Sequence, residues 1–101
     1  MKKIIAGKLY DTETAVAIGW NDYSDPGDFH YWREVLFQKK TGEYFLFGEG
    51  GPASRYREQI STNGWSGGSE IKPLREDEAK EWAMDNMDAG EYMEHFGPVE
   101  E

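Results

Sequence analysis

Residues 29–39 and 43–47 are rich in aromatic and β-branched side chains, and only three residues separate the two stretches. This pattern predicts a long β-hairpin whose short loop contains Gly42. Both faces of the hairpin are apolar. In the first strand Tyr31, Val35 and Phe37 lie on one side and Trp32 and Leu36 on the other, and in the second strand Phe45 and Phe47 oppose Tyr44 and Leu46. The hairpin is therefore predicted to lie at the centre of a sheet. A helix would cover one face, and the other would be covered by loops or expose aromatic residues.

The flanking strands are predicted from turn residues and apolar runs. Residues 2–10 are typical of a small hairpin with a glycine in its turn, residues 15–20 of a strand, and residues 21–28 of a loop. Residues 48–69 contain six glycines and are predicted to form a long loop held in place by its aromatic residues. Residues 70–74 would form the last strand, and Pro73 would place it at a sheet edge or a strand end.

After residue 75 the apolar residues follow the helical period. Ala79, Trp82 and Ala83 form a narrow apolar stripe that suits packing on a sheet. Asp88 and Glu91 have the spacing of a capping box, which predicts a break near residue 88 and a second short helix.

These elements predict an α+β fold, with an antiparallel sheet of four or five strands and C-terminal helices packed on one face. At 101 residues the chain is expected to form a single domain over residues 1–101. Residues 1–74 would supply mainly sheet and loops, and residues 75–97 the acidic C-terminal helices.

Acidic side chains are concentrated near the C-terminus. Residues 70–101 carry eleven acidic and three basic residues, whereas residues 1–69 carry nine acidic and eight basic residues. Asp77, Glu81, Asp85 and Asp88 would form one stripe along the helix, with carboxylates every ~6 Å, close to the spacing of phosphates in a nucleic-acid strand. Such a surface repels nucleic acid and attracts basic proteins, above all those with nucleic-acid-binding grooves. The alternative interpretation is a solvated helix face that keeps a small protein soluble.

Motifs for catalysis, metal binding or phosphate binding do not match. In the register of a calcium loop, residues 22–33 place Pro26 and Arg33 where ligands belong. The glycines of residues 48–52 are not followed by a Gly-Lys-Ser/Thr sequence, and His30 and His95 are the only histidines. We therefore expect no enzymatic activity, catalytic residue, cofactor or bound metal. The lack of cysteine and of a run of ~20 apolar residues favours a cytoplasmic protein without a membrane span.

Four blocks of sequence carry a resemblance to known proteins: Gly7–Ala15 (GKLYDTETA), Thr41–Pro52 (TGEYFLFGEGGP) with Ser54 and Tyr56, Asn63–Gly68 (NGWSGG), and Ile71–Leu74 (IKPL) leading into Glu78–Trp82 (EAKEW). The chain resembles a family of small acidic proteins encoded on conjugative and other mobile elements of bacteria. Some members of that family resemble type II anti-CRISPR proteins, which inhibit the nuclease Cas9. Arg75 departs from the family pattern, which has a Thr or Ser N-cap before the acidic run.

The resemblance and the charge together predict a non-enzymatic inhibitor of a host defence nuclease, with Cas9 or another basic, nucleic-acid-binding effector as partner. The predicted contact residues are Asp77, Glu78, Glu81, Asp85, Asp88, Glu49, Tyr56 and Trp65. One alternative is an accessory or regulatory module of a mobile element that binds some other basic protein. A further alternative is a single-stranded nucleic-acid binder that stacks bases on the aromatic residues of the sheet.

Overall fold

A four-stranded antiparallel sheet forms the centre of the molecule in the computed structural model, which describes residues 1–101. The strands are β1 (Lys2–Ile5), β2 (Lys8–Asp11), β3 (Val16–Tyr23), β4 (Trp32–Gln38), β5 (Tyr44–Gly50), β6 (Glu58–Ser61), β7 (Gly64–Ser66) and β8 (Gly68–Leu74), and the helices are α1 (Glu76–Asn86) and α2 (Ala89–Phe96). The central sheet has the strand order β3-β4-β5-β8, while β1–β2 and β6–β7 form two separate hairpins. This confirms the predicted α+β fold.

Strands β4 and β5 form the predicted central hairpin. Val35 is paired with Phe47 and Phe37 with Phe45, so these apolar side chains share one face of the sheet. Tyr44 and Leu46 alternate with them and point to the opposite face. β8 lies at an edge of the sheet, as Pro73 predicted.

Each face of the sheet buries its own hydrophobic cluster. The cluster beneath the β1–β2 hairpin comprises Tyr10, Val35, Phe37, Phe45 and Ile71, with the Phe37 and Phe45 rings stacked at 5.1 Å. The cluster beneath the helices comprises Leu36, Tyr44, Ala79 and Ala83, with Trp82, Met87, Tyr92 and Phe96 packed around it. The predicted helical cover on one face is therefore confirmed. On the other face, where loops or exposed aromatic residues were expected, the β1–β2 hairpin covers the sheet instead.

Two predicted loops contain strands. Residues 21–23 continue β3, because they pair with Glu34, Arg33 and Trp32 of β4. Residues 48–50 continue β5, and residues 58–66 form the β6–β7 hairpin. Turn-forming residues predicted loops in both places, but pairing with a neighbouring strand outweighs those local preferences.

The two helices begin in different ways. Asp88 caps α2, since its carboxylate accepts a hydrogen bond of 2.8 Å from the Glu91 N–H. At the start of α1, the Arg75 side chain can only donate, and the Glu78 carboxylate instead accepts from the Arg75 N–H at 2.9 Å. The break at residue 88 was predicted from this spacing and is confirmed. Neither helix has the length and apolar character that crossing a lipid bilayer requires.

Candidate partner-binding face

A buried carboxylate lies beneath the helix-covered face of the sheet. Glu34 of β4 is only 3% exposed. The Trp82 indole N–H donates to one of its oxygens at 3.0 Å, the Tyr56 hydroxyl donates to the other, and the Arg55 guanidinium lies 3.5 Å away. A buried charge is tolerated only when it is paired and hydrogen-bonded, and Glu34 satisfies both conditions.

Gly48 makes room for the Tyr56 ring to reach Glu34. Gly48 lies opposite Glu34 on β5, and a Cβ added there would overlap the Tyr56 ring. Ser54 stabilises the turn that brings Tyr56 to the sheet. Its hydroxyl donates to the Gly51 carbonyl at 2.8 Å and accepts from the Tyr56 N–H at 3.2 Å. Burial raises the pKa of the Tyr56 hydroxyl, and its hydrogen bond to Glu34 raises that pKa further. The hydroxyl therefore remains a donor at neutral pH.

An open groove of about 520 Å³ runs between α1 and the sheet above Glu34. Leu46 and Trp82 supply apolar surface in it, and Arg55 and Lys72 supply positive charge. Asn21 and Asn86 line it as well, and their side-chain amides hydrogen-bond at 2.9 Å, which ties β3 to α1. The groove therefore combines charges of both signs.

Three of the predicted acidic residues, Glu78, Glu81 and Asp85, line the α1 side of this groove. Glu81 and Asp85 are exposed and have no basic side chain within 4.0 Å. Glu78 is half-buried, and its carboxylate lies 3.7 Å from the Arg75 guanidinium. The free carboxylates of α1 are thus concentrated at Glu81 and Asp85.

The two ends of the predicted acidic stripe are engaged within the chain. Asp77 forms an ion pair with Arg75 at 3.1 Å, and the hydrogen bond from that guanidinium lowers the pKa of Asp77. Asp88 is the N-cap of α2, and the Glu91 N–H lowers its pKa. The expected continuous stripe of four free carboxylates is therefore corrected to a shorter one, because the helix ends use two of them locally.

The remaining predicted contact residues lie elsewhere. Glu49 is on the opposite face of the sheet from α1, paired with Arg33 at 3.5 Å. Tyr56 is half-buried with its hydroxyl on Glu34, so the expectation of an exposed aromatic anchor is corrected there. Trp65 of β7 is 45% exposed, and the Arg57 guanidinium lies 4.4 Å from its ring centre. The eight predicted residues thus do not form one surface.

Most aromatic side chains proposed for base stacking are inside the protein. Phe45 is fully buried, and Tyr31, Trp32, Phe47 and Tyr56 are half-buried. Trp65 alone among those six is exposed, and it projects from the β6–β7 hairpin instead of the sheet face. These six rings therefore do not form a flat platform of free aromatic side chains such as single-strand binders use.

Glu34 and Arg55 were not among the residues predicted to be functional. A signal for Glu34 exists in the sequence, because it is the one charged residue at a helix-facing position between Trp32 and Leu36. Charged residues are seldom fully buried unless they are paired, so an acid inside an apolar strand predicts buried partners. The partners themselves come from distant segments and carry no such signal.

No group of three or more His, Cys, Asp or Glu side chains is arranged to hold a metal ion. In the loop that was compared with a calcium site, the carboxylates serve the backbone. Asp25 accepts from the Gly27 N–H at 3.0 Å, and Asp28 accepts from the His30 N–H at 2.7 Å. The His30 N–H is also the main cause of the lowered pKa of Asp28. This is the turn chemistry of Asx residues.

A group of lysine residues lies on the other side of the sheet from the helices. Lys8 of β2 forms an ion pair with Glu43 at 3.1 Å, and the Lys39 ammonium lies 3.9 Å above the Tyr10 ring. The same layer carries Lys2 and Lys3 on β1. The sheet thus separates a lysine-rich hairpin from two acidic helices.

The chain matches no protein-family model, no curated protein and no solved structure.

Proposed function

We propose that the protein is a non-enzymatic binding module that contacts a basic protein through the exposed carboxylates of α1. The observation that supports the proposal most directly is the charge of the C-terminal segment. Residues 76–101 contain ten acidic residues and one lysine, and that lysine pairs with Glu76 at 3.5 Å. Glu81 and Asp85 remain exposed and free of basic partners.

The position of these two carboxylates suits charge-assisted contacts to a partner. Residues four apart on a helix lie ~6 Å apart along its axis, so two arginine or lysine side chains can be engaged side by side. Such contacts add orientation and fast association, because opposite fields steer the encounter. Like charges at this spacing destabilise an isolated helix by a few tenths of a kcal/mol, and a partner would remove that repulsion.

The class of partner follows from the sign and density of charge. A protein whose basic groove holds nucleic acid presents closely spaced arginine and lysine residues, which match the carboxylates of α1. The sequence resemblance makes Cas9 the first such protein to test, and the proposed role is then inhibition by occupying its nucleic-acid groove. The chain contains no cysteine, which suits the reducing cytoplasm in which such a target acts.

The experiment measures binding of the purified protein to purified Cas9, with and without guide RNA, by biolayer interferometry. The double variant Glu81→Lys/Asp85→Lys should raise the Kd about tenfold or more, because two attractive contacts become repulsive. Its matched control is Glu13→Lys/Glu58→Lys, which makes the same change in net charge at two exposed residues that form no ion pairs. The control should change the Kd less than about twofold.

Binding that resists raised salt and the α1 double variant would rule out this mode of recognition. Failure of Cas9 to bind at all would remove the nuclease from the proposal. Affinity capture of a different basic protein, lost with the α1 double variant and retained with its control, would favour a regulatory module of a mobile element instead.

A further inference from the structure

The two edges of the central sheet differ in how they are protected. On β8, Pro73 has no N–H to offer, and Glu70 and Lys72 are exposed charged residues. Proline and charge are the usual protection of a sheet edge against pairing with another strand. On β3, residues 16–21 contain neither a proline nor a charged side chain.

The backbone of β3 has open hydrogen-bonding groups along this edge. β3 pairs only with β4, so alternate residues direct their N–H and C=O groups away from the sheet. The Asp22 N–H is taken by the Asn21 side chain at 2.9 Å. Residues 16–20 make no hydrogen bond apart from their pairing with β4. A register shift between Ala17 and Gly19 twists the strand and disrupts regular pairing there, which limits any added strand to a short segment.

The side chains beside this edge are apolar on one face and acidic on the other. Trp20 shares a face with Val35, away from the helices, and is 62% exposed. On the helix side, Glu91 and Glu94 of α2 line a hollow of about 390 Å³ with Ile18. Neither glutamate has a basic side chain within 4.0 Å.

His95 lines the same hollow but is already engaged. Its Nε2 atom and the Tyr44 hydroxyl are 2.9 Å apart, and its ring packs edge-on against Phe96. The hollow is therefore lined by two free carboxylates and contains no lysine or arginine side chain.

We propose that residues 16–20 of β3 accept an extended segment of a basic partner as a fifth strand of the sheet. Alternate lysine or arginine side chains of that segment lie against Glu91 and Glu94, and the side chains between them pack on Trp20. Backbone pairing supplies affinity, while the alternation of basic and apolar residues supplies specificity. For the basic character of the partner this inference rests on the proposed function, and it adds a second contact on a different element.

A second copy of the chain fits this edge less well than a basic segment. If β3 of one copy paired with β3 of another across a two-fold axis, the acidic α2 helices of both copies would lie at the same dimer interface. The resulting repulsion between unpaired carboxylates opposes self-association, whereas the same carboxylates attract lysine and arginine.

The test uses a ten-residue peptide of alternating lysine and valine, titrated into the full-length protein labelled for NMR. The amides of residues 16–20 should shift and become protected from hydrogen exchange when the peptide is added. A peptide of the same sequence, N-methylated at alternate amides, cannot form the backbone hydrogen bonds of a β-strand pair. It should therefore leave the amides of residues 16–20 unprotected. The variant Glu91→Lys/Glu94→Lys should weaken peptide binding about tenfold, and the control Glu13→Lys/Glu58→Lys less than about twofold.

The outcomes separate this inference from the proposed function. Equal binding of the N-methylated peptide, or a greater loss with Glu81→Lys/Asp85→Lys than with Glu91→Lys/Glu94→Lys, would overturn the edge site. The second result would place the peptide on α1 and agree with the proposed function. If the β3 amides are protected from hydrogen exchange without peptide, and more strongly at higher protein concentration, the edge forms a homodimer. That result would overturn the edge site for a basic partner. Peptide pairing at β3 without any binding of Cas9 would support the edge site and reject the nuclease as partner.

Discussion

The buried carboxylate of Glu34 connects the central sheet to Arg55 and Tyr56, in the segment after β5, and to helix α1. Its carboxylate receives hydrogen bonds from Trp82 on the helix and from Tyr56 in the segment after β5. Removing one partner of a buried charge costs more than the pair contributes, because the remaining group stays desolvated and unpaired. Substitutions around Glu34 should therefore affect stability more than substitutions of the exposed acids.

Gly48→Ala is expected to destabilise the protein by about 1–3 kcal/mol, because the new methyl group displaces the rigid Tyr56 ring and disturbs its bond to Glu34. Urea unfolding followed by circular dichroism measures this loss. Gly90→Ala is the matched control, since its Cβ would meet no atom closer than 3.4 Å and alanine favours a helix. An unchanged unfolding midpoint for Gly48→Ala would show that the ring moves without cost.

Tyr56→Phe is expected to cost about 1–2 kcal/mol at neutral pH and to lose that disadvantage in alkali. The ordinary pKa of the phenol is 10.0, and burial in the folded state raises it. The stabilisation is therefore fully present below pH 10.0 and is lost as the pH rises above it, since the unfolded chain ionises first.

Urea unfolding of both proteins from neutral pH to about pH 11 tests this, with tyrosinate absorbance reporting the ionisation. Burial also raises the pKa of Tyr44. Both proteins contain Tyr44, so its ionisation contributes equally to each and does not change the stability difference. A constant stability difference over the whole range would contradict the role given to the Tyr56 hydroxyl.

At the scale of elements, the two small hairpins play different parts. The β1–β2 hairpin contributes Tyr10 to the core, and the Tyr10 ring packs edge-on against Phe45 at 5.5 Å. All four residues of β6 are exposed, so the β6–β7 hairpin stands clear of the core. Helix α2 depends on both its cap and its packing, because it has eight residues and isolated helices of that length are marginal in water.

Asp88→Ala is expected to accelerate amide hydrogen exchange in α2 several-fold, since the Glu91 N–H loses its acceptor. The cap should also fail in acid. Its pKa is lowered in the folded protein, so its contribution is present above the ordinary Asp value of 3.8 and is lost as the pH falls below it.

Asp88→Asn provides the control, because an asparagine cap accepts the same hydrogen bond without titrating. Its α2 amides should exchange at nearly the wild-type rate and without the acid dependence. Equal exchange rates in wild type and Asp88→Ala would show that packing of Tyr92 and Phe96 alone holds the helix.

At the scale of the whole molecule, charge is separated across the sheet. The lysine-rich β1–β2 hairpin covers one face and the acidic helices cover the other, so the protein has a charge dipole in addition to its net charge of −9. Its radius of gyration of 15.0 Å exceeds the ~13 Å typical of 100 residues.

Raising the ionic strength from about 10 mM to about 150 mM should raise the Tm by about 2–5 °C, because shorter screening lengths weaken repulsion among the helix carboxylates. Thermal unfolding at a series of sodium chloride concentrations measures the effect. Glu81→Lys/Asp85→Lys should show a smaller increase than Glu13→Lys/Glu58→Lys. A Tm that falls with added salt would mean that ion pairs such as Lys8–Glu43 outweigh the repulsion.

The sequence by itself determined the architecture: a central hairpin apolar on both faces, an edge strand at Pro73, and two C-terminal helices separated at Asp88. These features depend on periodicity and capping, which act between residues close together in the chain. The tertiary structure alone decided the extensions of β3 and β5, the partners of Glu34, and which carboxylates remain free. Each of these depends on contacts between distant residues, as with Glu34 and Trp82, which lie 48 residues apart. A local pattern can indicate that a residue is buried, but the partner of a buried or charged side chain is set only when distant segments meet.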